Sequence, residues 1–89
     1  MKHPVYAIQW HRKAVKAFRD IKDQKLKDHV LYAVEYILAP DPLSGKVLCG
    51  PFKGVFSYRI GVIRILYEIY RDRLIIVILD IGHRREIYR

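Results

Sequence analysis

The sequence predicts one α+β domain in which two N-terminal helices pack on one face of a small, curved, mainly antiparallel sheet, in the order β-α-α-β-β-β. Apolar residues recur at helical spacing in two early stretches, and the later runs are rich in β-branched and aromatic residues. The last of these runs is apolar on both faces. Because 89 residues can support only one core, we expect a single domain over residues 1–89.

The N-terminal elements are predicted from periodicity. The segment VYAIQW (5–10) alternates loosely between apolar and polar residues and predicts a first strand. Helical spacing of apolar residues predicts one helix from His11 to Lys22 and another from Gln24 to Ala39. Pro40 and Pro42 end the second helix, and PDPLSG is a loop.

Four strand-like runs follow this loop: KVLCG, GVFSYRI, VIRILYEIY and RLIIVILDI. Glycine or the segment RDR separates them, which predicts an antiparallel meander. The final run, Leu74 to Leu79, suits a central strand because both of its faces are apolar.

The charge of the chain favours an anionic partner. Lysine and arginine number 17 against 9 acidic residues, a formal charge of +8. A nucleic acid, an anionic membrane surface or an acidic protein would fit this charge. Seven of the eight lysines lie in residues 1–50, whereas seven of the nine arginines lie in residues 51–89. Because a guanidinium group binds phosphate bidentately, the C-terminal half is the expected recognition half.

Composition argues against several classes of protein. The single cysteine, Cys49, excludes an internal disulfide and a multi-cysteine zinc site, so we expect neither a metal nor another cofactor. No stretch reaches the roughly 20 apolar residues of a membrane span. The start of the chain lacks the long apolar segment of a secretory signal. The expected location is the cytoplasm, without contact with a membrane.

A hairpin is predicted to bring two arginines together. Gly61-Val62 has the Gly-X form of a two-residue type II′ turn, which places Arg59 directly opposite Arg64. Like charges opposite each other destabilise a strand pair by about 0.2 to 1 kcal/mol. The pair is either a solvated surface feature, as most exposed charges are, or an anion-binding site.

The C-terminal segment LDIGHRREIYR is predicted to extend this cationic surface. If the last turn pairs Tyr70 with Leu74, Asp80 falls beside Arg64 and can orient it. The following His83, Arg84 and Tyr88 would then lie over the same face as the arginine pair. Guanidinium groups stabilise charge on phosphate oxygens, and histidine is the natural acid or base near neutral pH. Without metal ligands, such a set suits attack of an RNA 2′-hydroxyl on the adjacent phosphorus, although a phosphate-binding surface without catalysis has the same pattern.

These residues also carry a resemblance to a known family. A proline and a glycine before Leu-x-Gly, an arginine hairpin with a following tyrosine, and a Gly-His-Arg ending resemble the RelE/ParE superfamily of toxins from toxin-antitoxin systems. The matching residues are Pro42, Gly45, Leu48, Gly50, Gly54, Arg59, Gly61, Arg64, Tyr67, Gly82, His83, Arg84, Tyr88 and Arg89. The resemblance implies the same helix-on-sheet fold and neutralisation by a cognate antitoxin, commonly acidic. RelE-type members cut messenger RNA in the ribosomal A site without a metal, through 2′-hydroxyl attack, whereas ParE-type members inhibit DNA gyrase.

The resemblance also implies roles for individual residues. Arg59, Arg64 and Arg84 would hold the phosphate, and Tyr88 would stack on or orient the substrate. Lys53 is a candidate for a basic role near the scissile group, and His83 is a candidate acid or base. The remaining candidates are RNA-binding cations, which are otherwise ordinary solvated surface charges: Lys13, Lys16, Lys22, Lys25, Lys27, Arg85 and Arg89.

Two positions depart from the family pattern. Ser57 stands where the hairpin pattern has its first arginine, and Val62 stands where an acidic residue is common. Loss of the cation at position 57 is expected to slow cleavage or to move the general-base role to Lys53 or His83. Three functions therefore stay open: a ribosome-dependent endoribonuclease, a gyrase inhibitor, and a catalytically impaired module that binds RNA or the antitoxin.

Overall fold

A computed structural model describes residues 5–48 and 50–83 of the chain. Its helices and strands are, in chain order, β1 (Ala7–Trp10), α1 (Arg12–Arg19), α2 (Gln24–Tyr32), β2 (Lys46–Val47), β3 (Phe56–Ile60), β4 (Ile63–Tyr70) and β5 (Ile75–His83). Helix α2 continues as one π-helical segment, Ala33–Leu38, and short 3-10 turns cover Pro42–Ser44 and Gly50–Phe52. This order confirms the α+β class and both helices. Within residues 5–48 and 50–83, none of the helices has the length and hydrophobicity of a bilayer-spanning segment.

Both helices begin at a side chain that accepts backbone hydrogen bonds. The His11 Nδ1 atom accepts the Lys13 N–H at 3.1 Å, and the Asp23 Oδ1 atom accepts the N–H groups of Lys25 at 2.9 Å and Leu26 at 3.4 Å. Such caps replace partners that the first turn of a helix lacks. His11 and Asp23 therefore set the starting points of the two helices.

The five strands form one sheet in the order β1-β5-β4-β3-β2. Neighbouring strands are antiparallel except that β1 runs parallel to β5, so the sheet is mixed. Strand β5 has a partner on each side, as its apolar sequence predicts. The parallel pairing is possible because the helical segment carries the chain from the end of β1 back across the sheet.

The core lies between the helices and one face of the sheet. Its buried residues come from both layers: Ala14, Val30, Ala33, Val34, Leu38, Ile63, Ile65, Tyr67, Ile76, Ile78 and Ile81. Since successive strand residues alternate between faces, Ser57, Arg59, Arg64 and Leu66 lie on the opposite face of the sheet. We call that opposite face the outer face.

The pairing of β4 with β5 differs from the sequence prediction. Tyr70 pairs with Ile75 rather than Leu74, because the turn contains four residues and Leu74 adopts a positive φ of 55°. A β-bulge then shifts the register again between Leu66 and Tyr67. Asp80 therefore lies opposite Leu66, and the prediction that it falls beside Arg64 is wrong.

A buried tyrosine ties the loop before β2 to the sheet. The Tyr67 hydroxyl donates to the Pro42 carbonyl oxygen at 2.6 Å and accepts the Gly45 N–H at 3.0 Å. Its ring stacks on Phe56, with the ring centroids 5.6 Å apart. One hydroxyl thus satisfies a buried carbonyl and a nearby amide, which holds the Pro42–Gly45 segment against the sheet.

Alkaline pH is expected to weaken the fold through Tyr67. Burial raises the pKa of Tyr67 from its ordinary value of 10.0 to about 12. Between these values the unfolded chain loses this proton while the folded chain keeps it, so the stabilisation is complete below pH 10 and is lost as pH rises toward 12. The expected loss is about 2 to 3 kcal/mol in the free energy of unfolding.

Urea unfolding from pH 8 to pH 12 measures this loss. Tyr67→Phe should remove about 2 to 3 kcal/mol of the pH dependence. Tyr32→Phe is the matched control, because Tyr32 is exposed and should leave the profile unchanged. Identical profiles for the wild type and Tyr67→Phe would contradict the assignment.

Candidate functional site

The arginine pair lies on the outer face, as predicted. Ile60 pairs with Ile63 and Arg59 pairs with Arg64 across the β3–β4 hairpin. Gly61 has a positive φ of 57°, whereas Val62 is not among the residues with positive φ, as a type II′ turn requires. Local turn chemistry therefore places two arginine residues opposite each other.

Hydrogen bonds draw the two guanidinium groups apart along the strands. The Arg59 Nε–H donates to the Gly61 carbonyl oxygen at 3.0 Å, toward the turn. An Nη1–H of Arg64 donates to the Ser57 Oγ at 3.4 Å, away from the turn. This divergence reduces the repulsion that a directly opposed pair would have. It also leaves cationic groups on both sides of a position that an anion could occupy.

Ser57 has a structural role on this face. It is 2% exposed and accepts the hydrogen bond from Arg64. An arginine at this position would add a third guanidinium group two residues from Arg59 on the same face, whereas serine orients the guanidinium group of Arg64. The departure from the family pattern therefore removes a charge and adds a fixed partner for Arg64.

Lys46 is a functional candidate that the sequence analysis missed. Strand β2 pairs Lys46 with Ser57, so Lys46 lies on the outer face next to the row that contains the arginine pair. The Tyr67 hydroxyl holds the preceding Gly45 and so fixes where β2 begins. The sequence pattern KVLCG predicts that Lys46 lies in a strand. It does not predict on which face Lys46 lies, because that depends on which strand β2 pairs with.

If the outer face binds RNA, as the sequence analysis expects, Lys46→Ala should weaken that binding about tenfold or less, since the substitution would remove one phosphate contact. It should also lower the slope of log affinity against log salt by about one. Fluorescence anisotropy of a labelled RNA oligonucleotide at several salt concentrations measures both quantities. Arg73→Ala removes one exposed cation from the β4–β5 turn and is the matched control. Equal effects of the two substitutions would exclude a specific role for Lys46.

Two more polar side chains reach the outer face from the start of α1. The Lys13 Nζ atom lies 3.2 Å from Asp80 Oδ2, and His11 lines a depression on this face together with Lys13 and Asp80. Asp80 also accepts the Ile81 N–H at 2.8 Å. Asp80 thus pairs with a lysine of the first helix rather than with Arg64. His11 is a second candidate that the sequence analysis missed.

His83 lies on the other side of the sheet. It pairs with Ile63, a core residue, and lines a cavity of about 400 Å³ with Ile21 and Leu26 from the helical layer. Strand β5 continues through Gly82 to His83, so alternation along the strand places His83 on the core face, opposite to the face of Arg64. The prediction that His83 shares a face with the arginine pair is therefore wrong, and its acid-base role loses its geometric basis.

The remaining predicted cations are distributed differently. Lys53 is exposed in the turn before β3, where its N–H donates to the Gly50 carbonyl oxygen at 3.1 Å. Lys16 pairs with Asp20 at 3.6 Å, and Lys27 lies 5.4 Å from the centroid of the Phe18 ring. Lys22, in the turn between the helices, and Lys25, in α2, also belong to the helical layer opposite the outer face. The predicted residues outside the described ranges are Arg84, Arg85, Tyr88 and Arg89.

Comparison with known proteins gives consistent matches over most of the chain. The family model described as the ParE toxin of type II toxin-antitoxin systems matches residues 8–88. Toxin RelG of Mycobacterium tuberculosis (strain ATCC 25618 / H37Rv) is 41% identical over 78 residues, which cover 82% of this chain and 87% of RelG.

Solved structures show the same architecture. The RelBE2 toxin-antitoxin complex of M. tuberculosis contains a chain that matches with a TM-score of 0.85 and 28% identity, covering 96% of this chain and 98% of that one. The archaeal RelE-RelB complex from Pyrococcus horikoshii OT3 matches with a TM-score of 0.68 over 92% of this chain and 98% of the matched chain. At 20% identity, the archaeal match supports the fold alone.

Proposed function

The chain belongs to the RelE/ParE family of toxins from type II toxin-antitoxin systems, and we propose that it cleaves messenger RNA on the ribosome without a metal cofactor. The observation that carries this proposal is the cross-strand pair of Arg59 and Arg64 on the outer face, which the helices leave uncovered. Two guanidinium groups held in different directions by Gly61 and Ser57 suit a phosphodiester between them.

The proposed reaction uses a nucleophile from the substrate. The 2′-oxygen forms a bond to the adjacent phosphorus while the bond from phosphorus to the 5′-oxygen breaks, leaving a 2′,3′-cyclic phosphate. One proton leaves the 2′-hydroxyl for a base, and one reaches the departing 5′-oxygen. Arg59 and Arg64 stabilise the charge that develops on the nonbridging oxygens. DNA lacks the 2′-hydroxyl and would not react.

Roles for the other groups in the proposed reaction rest partly on the family resemblance and partly on the fold. Arg84 would stabilise the leaving 5′-oxygen and Tyr88 would orient the substrate, as the family resemblance implies. Lys53 remains the proposed base, since His83 lies on the helical side of the sheet. Lys13 would contact ribosomal RNA beside the site, and Lys16, Lys22, Lys25 and Lys27 would contact it from the helical layer.

The proposed partners are the ribosome with messenger RNA in its A site and a cognate antitoxin. A formal charge of +8 and an open cationic face favour an acidic antitoxin. Two of the solved relatives are themselves toxin-antitoxin complexes. Covering the outer face would neutralise the toxin by blocking access of the RNA.

Induced expression of the chain tests the proposed function. Transcripts with new 5′ ends, mapped by primer extension within minutes, are the expected result, together with an unchanged level of DNA supercoiling. Intact transcripts with blocked supercoiling would instead identify a gyrase inhibitor. Intact transcripts with normal supercoiling and normal growth would identify a binding module.

A further inference from the structure

A depression of about 300 Å³ adjoins the arginine pair on the outer face. It is lined by His11, Lys13, Phe52, Val55, Leu66, Leu79 and Asp80. On β4, Leu66 lies two residues beyond Arg64 on the same face of the sheet, about 7 Å along the strand. On β5, Asp80 lies two residues before Gly82, which pairs with Arg64. A ligand in this depression would therefore be a direct neighbour of a phosphate held at the arginine pair.

The lining of the depression suits a flat aromatic ligand. Its apolar part combines one aromatic ring, Phe52, with three aliphatic side chains. Proteins hold single-stranded bases by stacking them on aromatic rings next to cationic groups that track the backbone. Here the cationic groups are Arg59 and Arg64. The depression thus has the surfaces that a nucleobase needs.

The carboxylate of Asp80 is the group in the depression that indicates which ligand could bind there. A negative charge beside a phosphate site opposes binding of the phosphate. A surface that bound only phosphate would therefore have no use for the Asp80 carboxylate. Its side chain is 17% exposed, and each oxygen already accepts one contact: Oδ1 from the Ile81 N–H and Oδ2 from Lys13. Because a carboxylate offers about four lone-pair sites, acceptor capacity remains on both oxygens. Lys13 offsets the negative charge of Asp80 and occupies only one of these lone-pair sites.

An acceptor at this position discriminates among bases. Adenine, cytosine and guanine carry an exocyclic amino group, which donates to a carboxylate oxygen. Uracil has carbonyl oxygens in place of that amino group, and its single ring N–H lies between them. A carboxylate therefore repels both oxygens of uracil that flank the only donor.

We propose that this depression binds one base of the substrate RNA and that Asp80 selects bases with an exocyclic amino group over uracil. The proposal rests on the proposed function for the identity of the ligand as RNA. Phe52 and the aliphatic side chains hold the plane of the base, Asp80 accepts from its amino group, and Arg59 and Arg64 hold the adjacent phosphate. The site is a specificity-determining subsite rather than a part of the bond-breaking machinery.

Binding of homopolymeric RNA tests this proposal without requiring cleavage. The probes are fluorescein-labelled hexamers of adenosine, cytidine and uridine, each 2′-O-methylated so that the 2′-oxygen cannot attack. We expect the wild type to bind the adenosine and cytidine hexamers about tenfold more tightly than the uridine hexamer, as one charge-assisted hydrogen bond predicts. Asp80→Asn should bring all three affinities within about twofold, since an amide can donate to uracil as well as accept.

Two further variants make the result specific. Asp80→Asn keeps an oxygen for the Ile81 N–H, so the bulge should stay intact. Asp20→Asn removes the carboxylate of the exposed Lys16–Asp20 pair and is the matched control, with unchanged preference expected. Val55→Trp fills the depression and should abolish the preference while binding to the uridine hexamer stays within about threefold.

The outcomes separate this inference from the proposed function. Equal binding of the three hexamers by the wild type, or an unchanged preference in both Asp80→Asn and Val55→Trp, would overturn the subsite. Mapped transcript ends give an independent measurement: the wild type should cut next to adenosine, cytidine or guanosine, and Asp80→Asn should add sites next to uridine. A wild type that shows the binding preference but cuts no transcript would refute the nuclease and leave the subsite standing.

Discussion

Arg64→Ala is expected to lower the rate of the proposed messenger RNA cleavage by about a hundredfold or more. Removal of one preorganised donor to a developing oxyanion costs about 10² to 10³ in rate in comparable sites. Arg64 is half-buried and is held by Ser57, so its charge is less screened than that of an exposed arginine. Growth after induction and primer extension on an abundant transcript measure the effect.

Three comparisons make the Arg64 result interpretable. Arg73→Ala removes an exposed arginine from the β4–β5 turn and should leave cleavage within about twofold, because exposed charges far from a site contribute little. Arg64→Lys should recover only part of the activity, since an ammonium group cannot form the bidentate contact. Thermal unfolding of each variant separates loss of fold from loss of chemistry. Full toxicity of a folded Arg64→Ala chain would remove the basis of the proposed function.

Gly45→Ala is expected to have the largest effect on stability, about 3 kcal/mol of the free energy of unfolding. Its φ of −83° suits any residue, so the requirement for glycine is one of space. An added Cβ would overlap the Tyr67 hydroxyl and would lie 2.9 Å from the Ser57 carbonyl oxygen. Either the hydroxyl must move and lose its bonds to Pro42 and Gly45, or β2 must move away from β3.

Urea unfolding at neutral pH measures the cost of this substitution. Ser44→Ala changes the exposed neighbour in the same turn and should stay within about 0.5 kcal/mol of the wild type. Because Gly45 also sets the position of Lys46, Gly45→Ala should weaken RNA binding at temperatures where the variant is still folded. A stability equal to that of Ser44→Ala would show that the close contact with Tyr67 is absent in solution.

Much of the fold follows from patterns within single segments. Helical spacing predicted both helices, and the Gly61-Val62 turn predicted the register of the β3–β4 hairpin, including Arg59 opposite Arg64. These predictions succeeded because the physical causes, amphipathic periodicity and turn geometry, act over a few residues.

The prediction of the β4–β5 register was wrong because the features that set this register have no clear local signal in the sequence. A four-residue turn with Leu74 at positive φ and a bulge near Leu79 each moved the pairing by one residue. Neither feature has a strong sequence signal here, since Leu74 is not a glycine and the bulge occurs within a continuous apolar run. As a result Asp80 lies opposite Leu66, and the strand continues to His83, which alternation places on the helical side.

The sequence by itself determined the family, the α+β class, the two helices and the arginine pair, because each is encoded in neighbouring residues or in a motif. Only the tertiary structure decided which other groups share the outer face. Lys46 reaches it because β2 joins β3, and His11 and Lys13 reach it because α1 starts beside β5. Such neighbours are brought together by strand pairing and packing between segments far apart in the chain, and no local pattern records those contacts.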